Sequence, residues 1–452
     1  MSIKEQLPVS GTFFVQAILL LTGTVWLGYF IEQSDFGQIL PAFALLFVSY
    51  FWILRTANPQ IPWKQYLYLA VLLRVVLLFA MPGLSDDLYR FVWDGRLLSQ
   101  GINPFDHLPA YYLQQGQEVA GLDQSLFDAL NSPEYYTIYP PVAQAIFGLA
   151  CLLFPKSIFG SMLVMKVFLI GCEILSIYLL PRILTLLKLP VERSLIYCLN
   201  PLILIEISGN LHFEGAMIAF FLVGIYLLLV GRDQFAGMGM ALSIASKLLT
   251  LIFMPFYIRR LGWKRVIPFF LAAAVLCFLL FLPMINGVFL NHFGESLDLY
   301  FRKFEFNASV YYLFRWIGFQ ITGYNYIAVI GPALALISSI GILVFAFFHP
   351  GHNWKGDLKY MLFGICLYLA LSTTVHPWYL SLPIILCCFT SYRFPIIWSA
   401  LITLTYINYS YQPYQENLQI VAVEYISVGL FFLWEVSRHS DLRLLYRKKF
   451  VE

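Results

Sequence analysis

The sequence predicts an all-α polytopic membrane protein, and three observations carry that reading. Of its 452 residues, 60% are hydrophobic and only 12% are charged, where a soluble chain of this size carries about 25% charged residues. The mean hydropathy is +0.75. Apolar runs that fit a hydrocarbon core, roughly 20 residues each with about 17 to 25 tolerated, recur along the whole chain. A net charge of +3, with no basic cluster interleaved with aromatics outside those runs, argues against a nucleic-acid partner. The seven cysteines (151, 172, 198, 277, 366, 387, 388) lie inside apolar runs without ligand spacing. They read as small buried hydrophobes, and no metal site is expected of them.

Taken in order, the expected spans are 12–31, 38–55, 64–81, 139–154, 163–187, 194–207, 212–231, 235–258, 266–284, 325–348, 357–375, 377–392, 394–410 and 419–437. Several are short for a bilayer, so the reading is about 11 to 14 crossings in a single integral-membrane domain, residues 1–452. The first run has one lysine before it and no small-residue cleavage site, which marks a retained span and not a signal peptide. No internal repeat is visible. Lys and Arg in short connections set orientation. Arg259, Arg260, Lys264 and Arg265, then Lys355 and Lys359, then the tail from Arg438 through Arg443, Arg447, Lys448 and Lys449 fall on one side if every span crosses. That side is cytoplasmic and takes the N-terminus with it. Segments 82–138 and 285–324 and the junction 372–377 then face the opposite side. Lys188 and Arg193 in the turn 187–194 run against this count.

Segments 82–138 and 285–324 are too long for plain connections, and long loops are usually functional. The first opens after Pro82-Gly83 with Ser85-Asp86-Asp87-Leu88-Tyr89-Arg90-Phe91-Val92-Trp93-Asp94-Gly95-Arg96. Read as a helix over 86–99, Asp87, Arg90 and Asp94 share one face and Leu88, Phe91, Val92 and Leu98 the other. Such a helix lies on the membrane surface with its acids toward water. A second short helix is expected at 122–130, and a third, amphipathic, at 311–317 in the later loop.

The pattern Asp86-Asp87-x-Tyr89-x-Phe91, then Asp94-Gly95-Arg96, then Gly101-x-Asn103-Pro104-Phe105, followed by Tyr139-Pro140-Pro141, resembles the GT-C integral-membrane glycosyltransferases. Within them it is most similar to α-mannosyltransferases that use polyprenyl-phosphate mannose, the bacterial α-mannopyranosyltransferases and the first mannosyltransferase of GPI-anchor assembly. Asn200-Pro201, Gly209-Asn210-Leu211-His212-Phe213-Glu214, Lys247-Leu248-Leu249-Thr250 and His376-Pro377-Trp378-Tyr379 resemble further features of that family. The resemblance covers about 80–260 well. It implies a GT-C fold, a catalytic module over 64–284 and variable C-terminal helices over 285–452. It also implies a catalytic acid in the first non-cytoplasmic loop, where Asp87 matches the second acid of the family's Asp-x-Asp pattern and Asp86 is offset.

The chemistry asks for the same residue types. Sugar transfer from a phosphate ester needs a carboxylate to take the acceptor's proton and cations to hold the departing phosphate. Asp87 and Asp86 are the candidate acids, one of them with a raised pKa because two adjacent carboxylates ionise with difficulty. Lys247, His376, Arg302 and Lys303 are candidate phosphate partners. Arg90, Asp94, His212, Glu214 and Tyr139 complete the substrate-binding set. Lys247 falls about 12 residues into its span, where a charge is costly and functional by default.

Blander readings stand beside these. Asp94 pairs structurally with Arg90, and His376 simply ends a helix before Pro377. Arg74 neutralises Asp86 or Asp87 or snorkels, while Lys166 and Arg182 snorkel. The aromatic run 406–414 forms an interface belt in preference to a sugar platform. A strict crossing count puts His212 and Glu214 on the cytoplasmic side; a re-entrant turn at Asn200-Pro201 puts them on the active face.

The function expected is transfer of a hexose, mannose by resemblance, from a polyprenyl-phosphate donor to a glycan or lipid-linked acceptor. The setting expected is the periplasmic face of a bacterial inner membrane. No cofactor is expected, although Asp86, Asp87 and Asp94 could hold a divalent cation. The rival readings are a transporter or flippase of lipid-linked sugars and a non-catalytic glycolipid-binding subunit.

Overall fold

The computed structural model describes residues 11–56, 63–351 and 353–439, so the tail residues Arg443, Arg447, Lys448 and Lys449 lie outside it. Among the described residues the regular structure is all helical, apart from one isolated bridge between Phe306 and Thr374. Among the described residues, six helices are long and apolar enough to cross a membrane, or seven if one bent pair counts as a single span. The remaining expected spans are realised as shorter or broken helices, and two of them are not single crossings.

Helices α1 (Gly11–Tyr29), α2 (Phe36–Thr56) and α3 (Trp63–Val76) pack side by side. Tyr29 donates to the Val76 carbonyl at 2.6 Å and Gln33 to that of Leu84 at 3.0 Å, which fixes where α1 and α3 end. Next comes α4 (Asp87–Ser99), then α5 (Gln124–Asp128), whose start Asp123 caps by accepting from the Leu126 N–H at 2.8 Å. Then α6 (Pro141–Leu153) runs beneath α4. A Cβ on Gly95 would stand 2.3 Å from the Phe147 carbonyl oxygen, so the glycine of Asp94-Gly95-Arg96 is what lets α4 and α6 touch. Phe91 stacks on Phe147 at 4.4 Å.

Helices α4 to α6, the first turns of α7 (Ile158–Leu186) and residues 211–219 close around a hydrophobic core of their own, distinct from the main core. The apolar run 139–154 therefore packs into a second core and is not a crossing. Hydropathy reports burial, and burial against protein looks the same as burial in lipid.

That correction settles the anomaly of Lys188 and Arg193. Lys166 of α7 donates to the carbonyls of Leu77 and Gly209 at 2.8 and 2.9 Å, so α7 passes the α3 terminus early and runs on to the far end. Lys166 is thus buried and does not snorkel; Arg182, exposed against the Tyr178 ring, does. At the far end Arg193 donates to the Thr390 carbonyl at 3.0 Å, and the Glu435 carboxylate accepts from the N–H groups of Arg393 and Phe394.

The chain returns through α8 (Leu195–Cys198), α9 (Pro201–Ile203) and a π-helical segment, Leu204–Gly209. Asn200 caps this broken rise by accepting from the N–H groups of Leu202 and Ile203. After Gly209 the path bends by 112° into α10 (Glu214–Leu229). Leu211 sits in the bend at φ 65°, a strained conformation for a branched residue.

Helix α11 (Asp233–Ser246) stops at Lys247, which is extended, and a 3₁₀ turn leads into α12 (Met254–Phe281). Gly262, at φ 67°, breaks α12 and turns it back. Residues 235–258 are therefore a rise and a descent rather than one span, and Lys247 lies at a helix end rather than mid-span. The basic segment after it lies at the far end: Arg260 pairs with Asp357 at 3.3 Å, Arg259 donates to the His349 carbonyl at 2.6 Å, and Arg265 pairs with Asp233 at 2.7 Å.

Helices α13 (Phe289–Arg302) and α14 (Val310–Thr322) fill the later long segment, of which only the second was expected. Then come α15 (Ile327–Phe348), α16 (Trp354–Leu371), α17 (Ser381–Cys387), α18 (Phe394–Leu401) and α19 (Leu418–His439). All seven cysteines are free thiols.

Candidate active site

Asp87 begins α4 at the mouth of a polar cavity of about 460 Å³. Its carboxylate accepts from Asn131 Nδ2 at 2.7 Å and from the Tyr139 hydroxyl at 3.1 Å, and one oxygen stands 3.8 Å from His212 Nε2. Three distant stretches thus converge on one acid. The strict crossing count separated His212 from Asp87. The 112° bend brings them together, because the misread run 139–154 had reversed the side of everything just after it.

Asp86, beside Asp87, lines the same cavity and caps nothing with its side chain. Partial loss of water, and then the charge of Asp87, push its pKa above the ordinary carboxylate value.

Tyr139 links the acid to a cation, since Lys247 Nζ lies 5.1 Å from the centre of its ring. Lys247 also pairs with the fully buried Glu214 at 3.2 Å, and at 22% exposure it remains open to the cavity. Glu214, expected as a substrate contact, lines the apolar cavity and holds the lysine in place. A carboxylate would repel a phosphate at that position.

Lys247, Ile138 and Tyr379 line a second cavity as well, an apolar one of about 500 Å³ walled by Leu248, Ile252 and Leu371. The polar and apolar cavities meet at the lysine.

A column of rings forms one wall. Phe306 stacks on His376 with centroids 4.6 Å apart, His376 on Trp378 at 4.6 Å, and Trp378 on His212 at 3.7 Å. The bridge between Phe306 and Thr374 supports the column, with Val375 N–H donating to the Phe306 carbonyl at 2.8 Å. Burial drives His376 down to a pKa of about 3, so it is a neutral imidazole and offers an N–H rather than a charge.

Arg90 is largely buried, lines the polar cavity and pairs at 3.0 Å with Asp94, which is buried and does not face water. Arg90 also donates to the carbonyls of Ser132 and Tyr135, so it pins the loop that presents Asn131. Asp94 accepts from Gln144 Nε2 at 2.8 Å, turned away from Asp86 and Asp87. The three carboxylates thus form no common ligand set, and among the described residues no group of three or more His, Cys, Asp or Glu is placed to hold a metal ion. Arg302 is exposed and paired with Asp298, Lys303 is exposed, and neither lines the cavity. Arg74 pairs with Glu173 at 2.7 Å, far from both Asp86 and Asp87 in its bonding.

Sequence reasoning missed Asn131, which carries no local signal, and Trp378, which stood inside a quoted motif. In the run 406–414 the less favoured reading, a platform at the site, fits the positions better than an interface belt. Tyr406 is buried and donates to Glu206, while Tyr409 and Tyr414 line the polar cavity.

A family model described as the alpha-(1->6)-mannopyranosyltransferase N-terminal domain matches residues 18–262, more than half of the chain. Alpha-(1->6)-mannopyranosyltransferase A of Mycobacterium tuberculosis is 28% identical over 217 residues, 46% of this chain. The matched stretch spans 40% of that relative's length. The family match takes in Asp86, Asp87, Asn131, Tyr139, His212, Glu214 and Lys247, while the ring column beyond Phe306 lies outside it.

Proposed function

The chain belongs to the alpha-(1->6)-mannopyranosyltransferase family, and on that premise we propose that it moves a mannosyl residue from a polyprenyl-phosphate donor to a glycan acceptor. The observation that carries this reading is the junction at Lys247. A lipid-phosphate sugar has an apolar tail, an anionic joint and a polar head in that order. The apolar cavity, the Lys247 ammonium and the polar cavity holding Asp87 present the matching order.

In this reading the prenyl chain lies between Leu248, Ile252 and Leu371, and Lys247 holds the phosphate. Asp87 takes the proton of the acceptor hydroxyl as its oxygen attacks C1, and the C1–O bond pair leaves with the phosphate. Asn131 and Tyr139 bond both carboxylate oxygens, which aims the base. A single displacement inverts the anomeric centre, so a β-linked donor yields an α-product. Tyr409 and Tyr414 line the polar cavity away from the apolar one and suit the faces of an acceptor sugar. The end carrying Asp87 lies opposite the basic end, in keeping with a periplasmic site in a bacterial inner membrane.

The test supplies purified protein in detergent with several polyprenyl-phosphate sugars and a mannose-containing acceptor. Consumption of the mannosyl donor and labelled mannose on the acceptor are expected, unchanged by a chelator. Donor binding without product would favour the non-catalytic subunit, and translocation without product the transporter.

A further inference from the structure

We propose that His212 and Glu206 form a buried imidazolium–carboxylate pair that holds Asp87 ionised and aimed from behind, which makes them positioning residues for proton removal. The proposal rests on the transferase reading of the site.

The bonding of the two ring nitrogens argues for the charge. His212 Nδ1 lies 2.8 Å from the Glu206 carbonyl and 3.2 Å from its carboxylate. Both are acceptors, so Nδ1 carries a hydrogen. Nε2 has no hydrogen-bond partner and faces the Asp87 carboxylate at 3.8 Å. A bare lone pair there would point at a negative charge; a proton there turns repulsion into attraction. A ring whose two nitrogens meet only acceptors is best satisfied as the cation.

The surroundings demand the same charge. Asp86, Asp87, Glu206 and Glu214 crowd this end of the bundle, and Lys247 is engaged by Glu214. His376, beyond Trp378 in the same column, is neutral, and the hydroxyls of Tyr139 and Tyr406 donate to Asp87 and Glu206. Without a cation at His212, Asp87 and Glu206 would stand uncompensated in a site of low dielectric.

The geometry is also fixed. Glu206 accepts from Tyr406 and from Asn210 Nδ2, so it cannot swing away. Trp378 lies flat on the imidazole at 3.7 Å, which sets the ring plane and favours a positive ring. The π-helical segment and the strained Leu211 bring residues 206 and 212 together, because the bend folds the chain back on its own last turn. During transfer the acceptor proton passes to Asp87. His212 exchanges no proton; its charge keeps the carboxylate ready before the step.

The test compares the wild type with His212→Phe, which keeps a ring against Trp378 and removes the charge, and with Glu206→Gln, which removes its counter-charge. Both are assayed for kcat, donor KM and the pH dependence of kcat/KM. For His212→Phe we expect kcat to fall on the order of tenfold or more, part of the 10²–10⁴ that a positioned base contributes, with donor KM unchanged. The acid limb of kcat/KM should move up by about one pH unit or more. Glu206→Gln should lower kcat in the same sense by less. A His212→Phe protein with wild-type kcat and pH profile overturns the proposal. Should that variant fail to fold, a Glu206→Gln enzyme with unaltered kcat does the same. Absence of transfer by the wild type would instead remove the transferase reading.

Discussion

Two ion pairs in this bundle join a cation to a glutamate held away from water, and they do different work. Arg74 and Glu173 lie 2.7 Å apart with both side chains sealed. Every further contact is internal: Arg74 donates to the carbonyls of Ala70 and Cys198, and Glu173 accepts from Tyr197 at 2.7 Å. Lys247 and Glu214 lie 3.2 Å apart, the glutamate sealed but the lysine 22% exposed. A closed pair fastens helices α3 and α7. A pair left open on one side, where two cavities meet, offers its cation to something else. In this bundle, a cation sealed on every side and one left open to a cavity mark the difference between a fastening charge and one free to meet a ligand.

The largest effect should come from the acid on the open side. Asp87→Asn should lower the rate of transfer by about 10²–10⁴ while its thermal unfolding matches the wild type; an unchanged rate breaks the mechanism. The pairs themselves should then separate. Arg74→Met leaves Glu173 buried and uncompensated and should cost about 3–5 kcal/mol of stability, read as loss of folded protein in detergent. Lys247→Met should raise the donor KM by about 10- to 100-fold, the worth of a hydrogen bond to a charged group; because it also strands the buried Glu214, the double variant Lys247→Met/Glu214→Gln is the one that should show the KM effect with little change in melting temperature. Were Lys247→Met/Glu214→Gln to unfold the protein and Arg74→Met to lower only affinity, the comparison would be inverted.

Smaller effects lie further from the cation. Tyr414→Ala should raise the acceptor KM about threefold to tenfold, as expected for a lost aromatic face, and leave the donor KM alone. The smallest is a pH effect. The Asp86 pKa is raised by folding, so its ionised form opposes the folded state above that pKa, and the cost fades as pH falls through it. Asp86→Asn should therefore raise the melting temperature slightly at neutral pH and leave it unchanged near pH 3. His376 protonates only near pH 3, so the donor KM should show no histidine step from that residue at neutral pH.

Much of this was legible before any coordinates. The helix over 86–99, the pairing of Arg90 with Asp94, the short helix near 124 and the two long segments flanking the site all follow from spacing and composition. The acids at 86 and 87 and the lysine at 247 stood out because charges are rare in this chain. Asn131 did not, being an ordinary polar residue in a polar loop. Arg302 and Lys303 misled for the opposite reason, since charge at the membrane edge is common and most of it is only solvated.

Composition together with the continuous length of the apolar runs determined that this is an all-helical membrane protein, because runs of roughly 20 apolar residues suit helices, whereas barrel strands are short and alternate. Local motif determined where the acids begin their helix. Only tertiary structure decided which apolar runs cross. The run 139–154 packs into a second core and 235–258 is a hairpin; one misreading reversed the side of residues 187–214 and the other restored it by 259. Tertiary structure also decided that His212, Lys247 and His376 gather around the cavity of Asp87. The physical reason is that hydropathy measures how much a residue avoids water, while side and partner depend on what it is buried against.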